Sequence, residues 1–262
     1  MLPCGQTKSL QKNELWLYTD FIVSELYVVA TPIGNLKDIT FRALEVFKSV
    51  DLVAAEDTRR TLQLLNHFEI KKPLMSCRAQ NERVAAQKIV CLLNEGKSIA
   101  FASDAGTPAI SDPGAVLVGL ARKAGHTVVP IPGASAFAAL VSVAGEGGKT
   151  LVFEGFLSPK RGRRKRRLEE LLDTGYAIIL YESPFRIVEL LADIADIDSE
   201  RRVIVGRELT KLHEEIIEGT ARQLCEDFTS RAKIQGEIAV FITGKMVKIE
   251  KESSDKKSEA GL

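Results

Sequence analysis

The chain is poor in several residue types on which whole classes of protein depend. Its 262 residues contain four cysteines and three histidines, and the cysteines show neither CxxC spacing nor nearby histidine partners. This pattern argues against a zinc site or a disulfide framework, so we expect no bound metal and a reducing, cytoplasmic setting. Aromatic residues make up only 6% of the chain, and the formal net charge is +1. The chain as a whole therefore does not attract nucleic acid, and any such contact requires a local basic patch.

Two longer patterns are also missing. The apolar stretch at residues 15–23 is interrupted by Thr19 and Asp20, is too short to span a membrane and lacks a signal-peptide cleavage pattern. The segment ATPIGNL holds a single glycine, Gly34, where a dinucleotide-binding enzyme would have G-x-G-x-x-G. We therefore expect no membrane association and no Rossmann-type dinucleotide site.

What the chain does have is an alternation of short apolar runs with amphipathic segments. Apolar runs at residues 26–30, 52–55, 98–102 and 127–131 are typical of buried strands. Helical spacing of apolar residues at 85–93 and 117–124 ends at Gly96 and Gly125, which are natural helix stops. Alternating βα units predict a mostly parallel sheet.

The second half repeats this alternation after a glycine-rich linker candidate at residues 145–149. Strands are predicted at 151–153, 177–181, 202–205 and 238–243, with a hairpin at 213–220. Ser183 and Pro184 are expected to start one helix and Thr220 to cap another. The chain length also favours two domains. We assign them to residues 25–145 and 150–246, with a poorly ordered extension at 1–24 and a disordered charged tail at 247–262.

Four loops with a shared character follow the predicted strands of the first half. They occur in VVATPIGNL, VAAEDTRR, SDAGTPAISDPG and VVPIPGASA, which begin at Val28, Val53, Ser103 and Val128. The carboxyl ends of parallel strands meet at one edge of a sheet, where open α/β sheets bind ligands. Gly106 allows close backbone approach, and Asp112 and Pro113 are expected as the N-cap and first residue of the next helix. These loops predict a small-molecule site, although any one of them alone could be a structural turn.

These motifs, in this order and spacing, resemble the tetrapyrrole-methylase superfamily of S-adenosylmethionine-dependent methyltransferases. Within it the chain is most similar to the bacterial enzymes that methylate the ribose 2′-hydroxyl of a decoding-centre cytidine in 16S ribosomal RNA. The match continues through FEGFLSPK, YESPFR and GRELTKLHEE and covers roughly residues 25 to 245.

The resemblance implies two αβα domains with parallel or mixed sheets, S-adenosylmethionine in the cleft between them, and a homodimer acting on 16S ribosomal RNA or the small ribosomal subunit. It implies that the methyl donor is bound by residues of four segments: Thr31, Pro32, Ser103, Asp104, Ala105, Gly106, Thr107, Pro108, Pro132, Gly133, Ser135, Ala136, Phe156 and Leu157.

Methyl transfer to a ribose hydroxyl requires removal of a proton, and a general base contributes about a hundredfold to ten-thousandfold. The candidate bases are the carboxylates of the matching motifs: Glu56, Asp57, Asp104, Glu182 and Glu208. Spacing alone singles out none of them. Each has an alternative role as a helix cap or arginine partner, and orientation without a dedicated base is a further alternative.

The strongest cationic feature is KRGRRKRR, residues 160–167, which holds seven basic residues in eight. Such a run can neutralise several phosphates, although with Glu169 and Glu170 following it could be a polar helix face. The candidate RNA-binding residues are Arg59, Lys160, Arg161, Arg163, Arg164, Lys165, Arg166, Arg167 and Arg186. Phe156 and Phe185 are the candidates for base stacking.

Two other functions stay open at this point. A related enzyme would methylate a carbon of a tetrapyrrole such as a precorrin or uroporphyrinogen, but it would gain nothing from the basic run. An inactive RNA-binding module on the same scaffold would show decayed donor loops, and those loops are intact.

Overall fold

A computed structural model describes residues 23–145 and 150–245, and the chain divides into two compact units, Met1–Ser135 and Ala136–Leu262. The whole of the expected charged tail, residues 1–22 of the expected N-terminal extension and residues 146–149 of the linker candidate lie outside the described residues. Among the described residues, no helix is long and apolar enough to cross a membrane.

The N-terminal unit alternates strands and helices. Its elements are β1 (Glu25–Val29), α1 (Phe41–Ser49), β2 (Leu52–Ala55), α2 (Thr58–His67), β3 (Leu74–Ser76), α3 (Glu82–Asn94), β4 (Ile99–Ala102), α4 (Ala115–Lys123) and β5 (Thr127–Ile131), with short 3-10 helices at Leu36–Asp38 and Ala79–Asn81. The four strands expected in this half are present. The three-residue strand β3 was not predicted, because it is too short to show a pattern.

The five strands form one parallel sheet in the order β3-β2-β4-β1-β5. All four residues of β4 are buried, and separate apolar clusters cover the two faces of the sheet. Burial on both faces explains why the strands are continuous apolar runs. Gly96 and Gly125 follow α3 and α4 closely, each with φ of +87°, as their helix-stop role requires.

The C-terminal unit contains a mixed sheet. Its elements are α5 (Ala136–Val143), β6 (Leu151–Phe156), α6 (Arg161–Asp173), β7 (Ala177–Glu182), α7 (Ile187–Ile197), β8 (Arg202–Arg207), β9 (Glu215–Thr220), α8 (Ala221–Ser230) and β10 (Ile238–Ile242). The strand order is β6-β7-β10-β8-β9, with β6 and β7 parallel and the other neighbours antiparallel. One face of the sheet packs with helices α6, α7 and α8 in one apolar core.

The boundary between the units differs from the one expected at the glycine-rich linker. Helix α5, assigned from the sequence to the first domain, packs in the C-terminal unit. The backbone N–H of Phe137 donates to the hydroxyl of Tyr181 at 3.1 Å. The rings of Phe137 and Phe153 pack edge to face, with their centroids 5.3 Å apart. The division falls between Ser135 and Ala136 because these contacts attach α5 to the second sheet.

Two local predictions in this unit had different outcomes. Thr220 caps α8, accepting a hydrogen bond from the backbone of Gln223 while the Gln223 side chain accepts one from Thr220. The helix expected at Ser183 and Pro184 begins only at Ile187. The intervening residues form a turn in which the N–H of Arg186 donates to the carbonyl of Ser183 at 3.0 Å.

Candidate active site

The loops after β1 and β4 are joined by hydrogen bonds at the carboxyl edge of the first sheet. Thr31 and Gly106 exchange backbone hydrogen bonds of 2.9 and 3.0 Å, and the Thr31 hydroxyl donates to the carbonyl of Ser103 at 3.3 Å. Gly106 has φ of +75°, which favours glycine. Strands β1 and β4 are neighbours in the sheet, so the order of the strands brings these two loops together.

The loop after β5 completes this group. The Thr107 hydroxyl donates to the carbonyl of Ala134 at 3.3 Å. A side chain at Gly133 would begin 3.0 Å from the Cβ of Ala30 and 3.4 Å from its carbonyl oxygen. Glycine is therefore needed for the close approach of two backbones, and the three loops form one connected surface.

The loop after β2 joins the same edge through backbone hydrogen bonds to two carboxylates, those of Glu56 and Asp104. The backbone N–H of Asp104 donates to Glu56 Oε2 at 3.3 Å, and the N–H of Asp57 donates to Asp104 Oδ1 at 2.9 Å. Arg60 Nε lies 3.5 Å from Asp104 Oδ2, and Arg78 Nε donates to the carbonyl of Glu56 at 3.3 Å. The site thus combines two acidic residues with two arginines.

A cavity of about 360 Å³ lies beside this network. Thr31, Pro32, Ser103 and Asp104, all predicted to bind the donor, line it. Its remaining lining comes mainly from α2 and the loop after β1: Gly34, Leu36, Arg60, Thr61, Gln63 and Leu64. The volume lies within the range typical of small-molecule sites.

The α2 lining residues were not predicted as site residues. The available signal was helical spacing immediately after the AAEDTR loop, which places Arg60, Thr61 and Leu64 near one face of the helix. Among the described residues, no group of three or more histidine, cysteine, aspartate or glutamate side chains is arranged to hold a metal.

The start of α4 corrects a prediction about the loop at residues 103–114. The N-cap residue is Gly114, not Asp112, and Glu82 from α3 supplies the missing side-chain acceptor. Glu82 Oε1 accepts from the backbone N–H groups of Gly114, Val116 and Leu117 at 2.8, 3.0 and 3.4 Å. Gly114 has φ of +134°, and a Cβ there would lie 2.6 Å from the Phe101 ring. Phe101 therefore requires glycine at the N-cap position, so the capping carboxylate comes from another helix.

The candidate bases differ in their environments. Burial raises the pKa of Glu56, and the nearby carboxylates of Asp112 and Asp104 add to this effect against an opposing backbone hydrogen bond. The hydrogen bonds from the Arg59 side chain and backbone hold the pKa of Asp57 well below its usual range, and Asp57 caps α2. Glu56 is therefore the better proton acceptor of the two.

Two further candidate bases, Glu182 and Glu208, lie in the C-terminal unit. Glu182 is buried and accepts from Ser183 N–H at 2.6 Å, with Arg186 paired at 2.5 Å. Burial pushes the pKa of Glu208 upward, but hydrogen bonds from Lys211 and the Glu237 N–H outweigh it, so the pKa is lowered. These contacts give both residues structural roles in their own turns.

The family model of the tetrapyrrole (corrin/porphyrin) methylases matches residues 25–225. The chain belongs to this family. It is 43% identical over 219 residues to ribosomal RNA small subunit methyltransferase I of Borrelia garinii subsp. bavariensis, covering 83% of this chain and 98% of that protein. The namesake from Thermotoga maritima is 44% identical over 223 residues, covering 85% and 100%. That from Neisseria meningitidis serogroup B is 48% identical over 199 residues, covering 76% and 68%.

Solved structures of this methylase family share the fold. A cobalt precorrin-4 methyltransferase matches with a TM-score of 0.62 and 17% identity, covering 84% of this chain and 94% of that one. A uroporphyrin-III-C-methyltransferase from Thermus thermophilus matches with a TM-score of 0.58 and 16% identity, again covering 84% of this chain and 94% of that one. The expected α/β fold is confirmed.

The remaining donor-binding candidates of this methylase are distributed over both units. The N-terminal unit contains Ala105, Gly106, Thr107, Pro108, Pro132, Gly133 and Ser135, in the joined loops. Ala136, Phe156 and Leu157 belong to the C-terminal unit. The Leu157 side chain is part of the apolar core, so only its backbone is available to a ligand, whereas Phe156 is exposed.

The basic run forms the first turns of α6, and most of its charges are paired within the protein. Arg164 is only 1% exposed, with Nε 2.7 Å from Asp193 Oδ2 and Nη2 3.1 Å from Glu189. The prediction that Arg164 contacts RNA is wrong, because its guanidinium is buried against α7. Four further members of the run have acidic partners: Arg161, Lys165, Arg166 and Arg167. Within the described part of the chain, Lys160 and Arg163 have no acidic partner.

The two remaining RNA candidates are also paired. Arg59 Nε and Nη2 donate to Asp57 Oδ1 and Oδ2 at 3.0 and 2.6 Å. Because the Arg59 side chain is 81% exposed, it still reaches solvent. Arg186 is tied to the buried Glu182.

Proposed function

We propose that this methylase transfers a methyl group from S-adenosylmethionine to the ribose 2′-hydroxyl of a cytidine in the decoding centre of 16S ribosomal RNA. The observation that carries the proposal is the identity of 43–48% to proteins named ribosomal RNA small subunit methyltransferase I. We further propose that it acts in the cytoplasm as a homodimer.

The joined loops suit the donor. S-Adenosylmethionine, when bound, supplies an electrophilic methyl group on a sulfonium centre. Its polar groups need hydrogen-bonding partners, and the loops around Thr31, Ser103 and Gly133 carry many backbone amides and carbonyls at one sheet edge. Gly106 and Gly133 hold these loops close together, because a Cβ at Gly106 would lie 3.3 Å from Ile33 Cγ2 and one at Gly133 would lie 3.0 Å from the Cβ of Ala30.

Glu56 is the residue to which we assign the proton of the ribose hydroxyl. Its raised pKa favours proton uptake, and its hydrogen bond with the Asp104 N–H fixes it next to a residue that lines the cavity. Arg60, at the cavity wall and 63% exposed, is suited to hold a phosphate of the substrate.

The test combines donor binding with transfer of a labelled methyl group. We expect calorimetric binding of S-adenosylmethionine, followed by labelling of small ribosomal subunits or naked 16S RNA that lack the modification. Alkaline hydrolysis should leave one resistant linkage, at a single cytidine, because a 2′-O-methyl group blocks cleavage.

Each alternative gives a different result in the same assay. Labelling of uroporphyrinogen but not RNA would make the protein a tetrapyrrole C-methyltransferase. RNA binding without donor binding would make it an inactive module. Label on a base, with no resistant linkage, would refute ribose methylation.

A further inference from the structure

A second groove, of about 620 Å³, lies in the C-terminal unit, and none of the predicted donor residues lines it. It is formed by the turn before α7, the C-terminal end of α8 and the segment leading to β10. Pro184, Val188, Phe228 and Ile234 give it an apolar lining. The volume is within the range of sites that bind a small organic group.

The rim of the groove carries an exposed aromatic ring. Phe185 is 89% exposed, although burial of a phenylalanine side chain is favourable. The turn that presents the ring is held by the Ser183 hydroxyl, which accepts from the Phe185 N–H at 3.3 Å, and by the Arg186–Glu182 pair. The ring is therefore displayed to solvent from a fixed turn.

The charged residues that line the groove are both cations. Its eleven lining residues include two cations, Arg231 and Lys233, and no carboxylate. Arg231 is balanced by Glu215 and Asp227. The exposed Lys233 has no ion-pair partner within the described ranges, so it adds an uncompensated charge at the rim.

We propose that this groove binds an unstacked nucleotide of the RNA substrate, with the base on the Phe185 ring and a neighbouring phosphate at Lys233. A ring beside a free cation complements a base joined to a phosphate, which is how proteins bind single-stranded RNA. The exposed side-chain amide of Gln235, also in the lining, offers a donor and an acceptor for a base edge. This inference rests on the proposed function and adds a site for the same substrate.

The experiment measures the affinity of the full chain for a fluorescent single-stranded RNA oligonucleotide. We expect Phe185→Ala to weaken binding about fivefold or more and Phe185→Tyr to keep most of it, because stacking needs the ring. Lys233→Ala should reduce the salt dependence of log Kd by about one phosphate contact. Leu212→Ala is the matched control, since Leu212 is 93% exposed but does not line the groove.

Photocrosslinking of a bromouridine-substituted oligonucleotide supplies a second measurement that does not depend on the variants. We expect the crosslinked peptide to contain Phe185 or the 231–236 segment. Unchanged RNA affinity in both Phe185→Ala and Lys233→Ala would overturn the inference while leaving methyl transfer, and hence the proposed function, intact. Loss of binding only to assembled subunits would assign the groove to a ribosomal protein instead. Ring-dependent RNA binding without any methyl transfer would support the groove and refute the proposed function.

Discussion

At the end of β2, two adjacent carboxylates differ in proton affinity because of what each one contacts. Burial raises the pKa of Glu56, so its ionised form destabilises the folded state at neutral pH. Arg59 lowers the pKa of Asp57, so Asp57 contributes stability that is lost as the pH falls below its ordinary value of 3.8. The carboxylate that we propose as the base and a helix cap thus occupy neighbouring positions.

Replacing Glu56 by glutamine tests the assignment of the base. We expect Glu56→Gln to lower kcat about a hundredfold or more while the Kd for the donor stays unchanged, because the amide keeps a hydrogen-bond acceptor but takes up no proton. The free energy of unfolding at neutral pH should not fall, since the variant removes a partly buried charge. Single-turnover kinetics, calorimetry and urea unfolding measure these three quantities.

The pH profile gives the decisive readout for this variant. The kcat of the wild-type protein should fall as the pH drops and Glu56 takes up a proton, at a pH above 4.5, which is the pKa of an ordinary glutamate. The kcat of the variant should not show this decrease. Glu45→Gln, at an exposed position of α1, should behave as wild type. An unaltered kcat in Glu56→Gln would remove Glu56 from the mechanism.

At the scale of elements, helix α4 depends on a side chain from α3. Three backbone N–H groups at its start converge on one carboxylate oxygen of Glu82. We expect Glu82→Ala to cost about 1–2 kcal/mol in urea unfolding and to weaken donor binding, because the loop at 103–114 ends at this cap. Glu82→Gln should recover part of both losses.

Glu95→Ala is the control for this experiment. Glu95 is 59% exposed and pairs with Lys97 on the surface, so its loss should change stability by less than about 0.5 kcal/mol. Unchanged unfolding in Glu82→Ala would show that water replaces the cap.

Helix α6 has one face packed against the protein and one face exposed to solvent. Arg164 lies on the buried face, and its neighbour Arg163 lies on the exposed face. We expect Arg164→Leu to destabilise the C-terminal unit by about 3 kcal/mol, because the buried Asp193 would keep, among the residues that the structure describes, only the exposed Arg161 as a partner. Hydrogen exchange in α6 and α7 should report this loss. Arg163→Ala should leave exchange unchanged and weaken RNA binding, and the reverse pattern would contradict the assignment.

At the scale of the whole molecule, the +1 net charge leaves RNA affinity to local patches. If all seven basic residues of the run met phosphates, they would contribute about 5–6 to the slope of log Kd against log salt. With only Lys160 and Arg163 lacking acidic partners in the described structure, we expect the double variant Lys160→Ala and Arg163→Ala to lower the slope by about 2. A further large decrease on removing Arg166 and Arg167 would show that RNA displaces their glutamate partners.

Sequence patterns predicted the elements that depend on local composition. The strands of the parallel sheet are apolar because both faces are buried, and Gly96, Gly125 and Thr220 act within a few residues of themselves. The start of α4 was missed because its capping carboxylate lies 32 residues upstream of Gly114. The place of α5 was missed because its partners, Phe153 and Tyr181, belong to later strands.

The sequence by itself determined the family, the alternation of strands and helices, and the loops that meet at one sheet edge, since short-range periodicity and ordered motifs carry this information. Only the tertiary structure decided which of the candidate carboxylates is suited to accept a proton and which arginines remain free. Burial and pairing depend on residues distant in the chain, as Glu56 beside Asp104 and Arg164 against Asp193 illustrate. Proton affinity and phosphate binding follow from those surroundings, and residue type alone does not fix them.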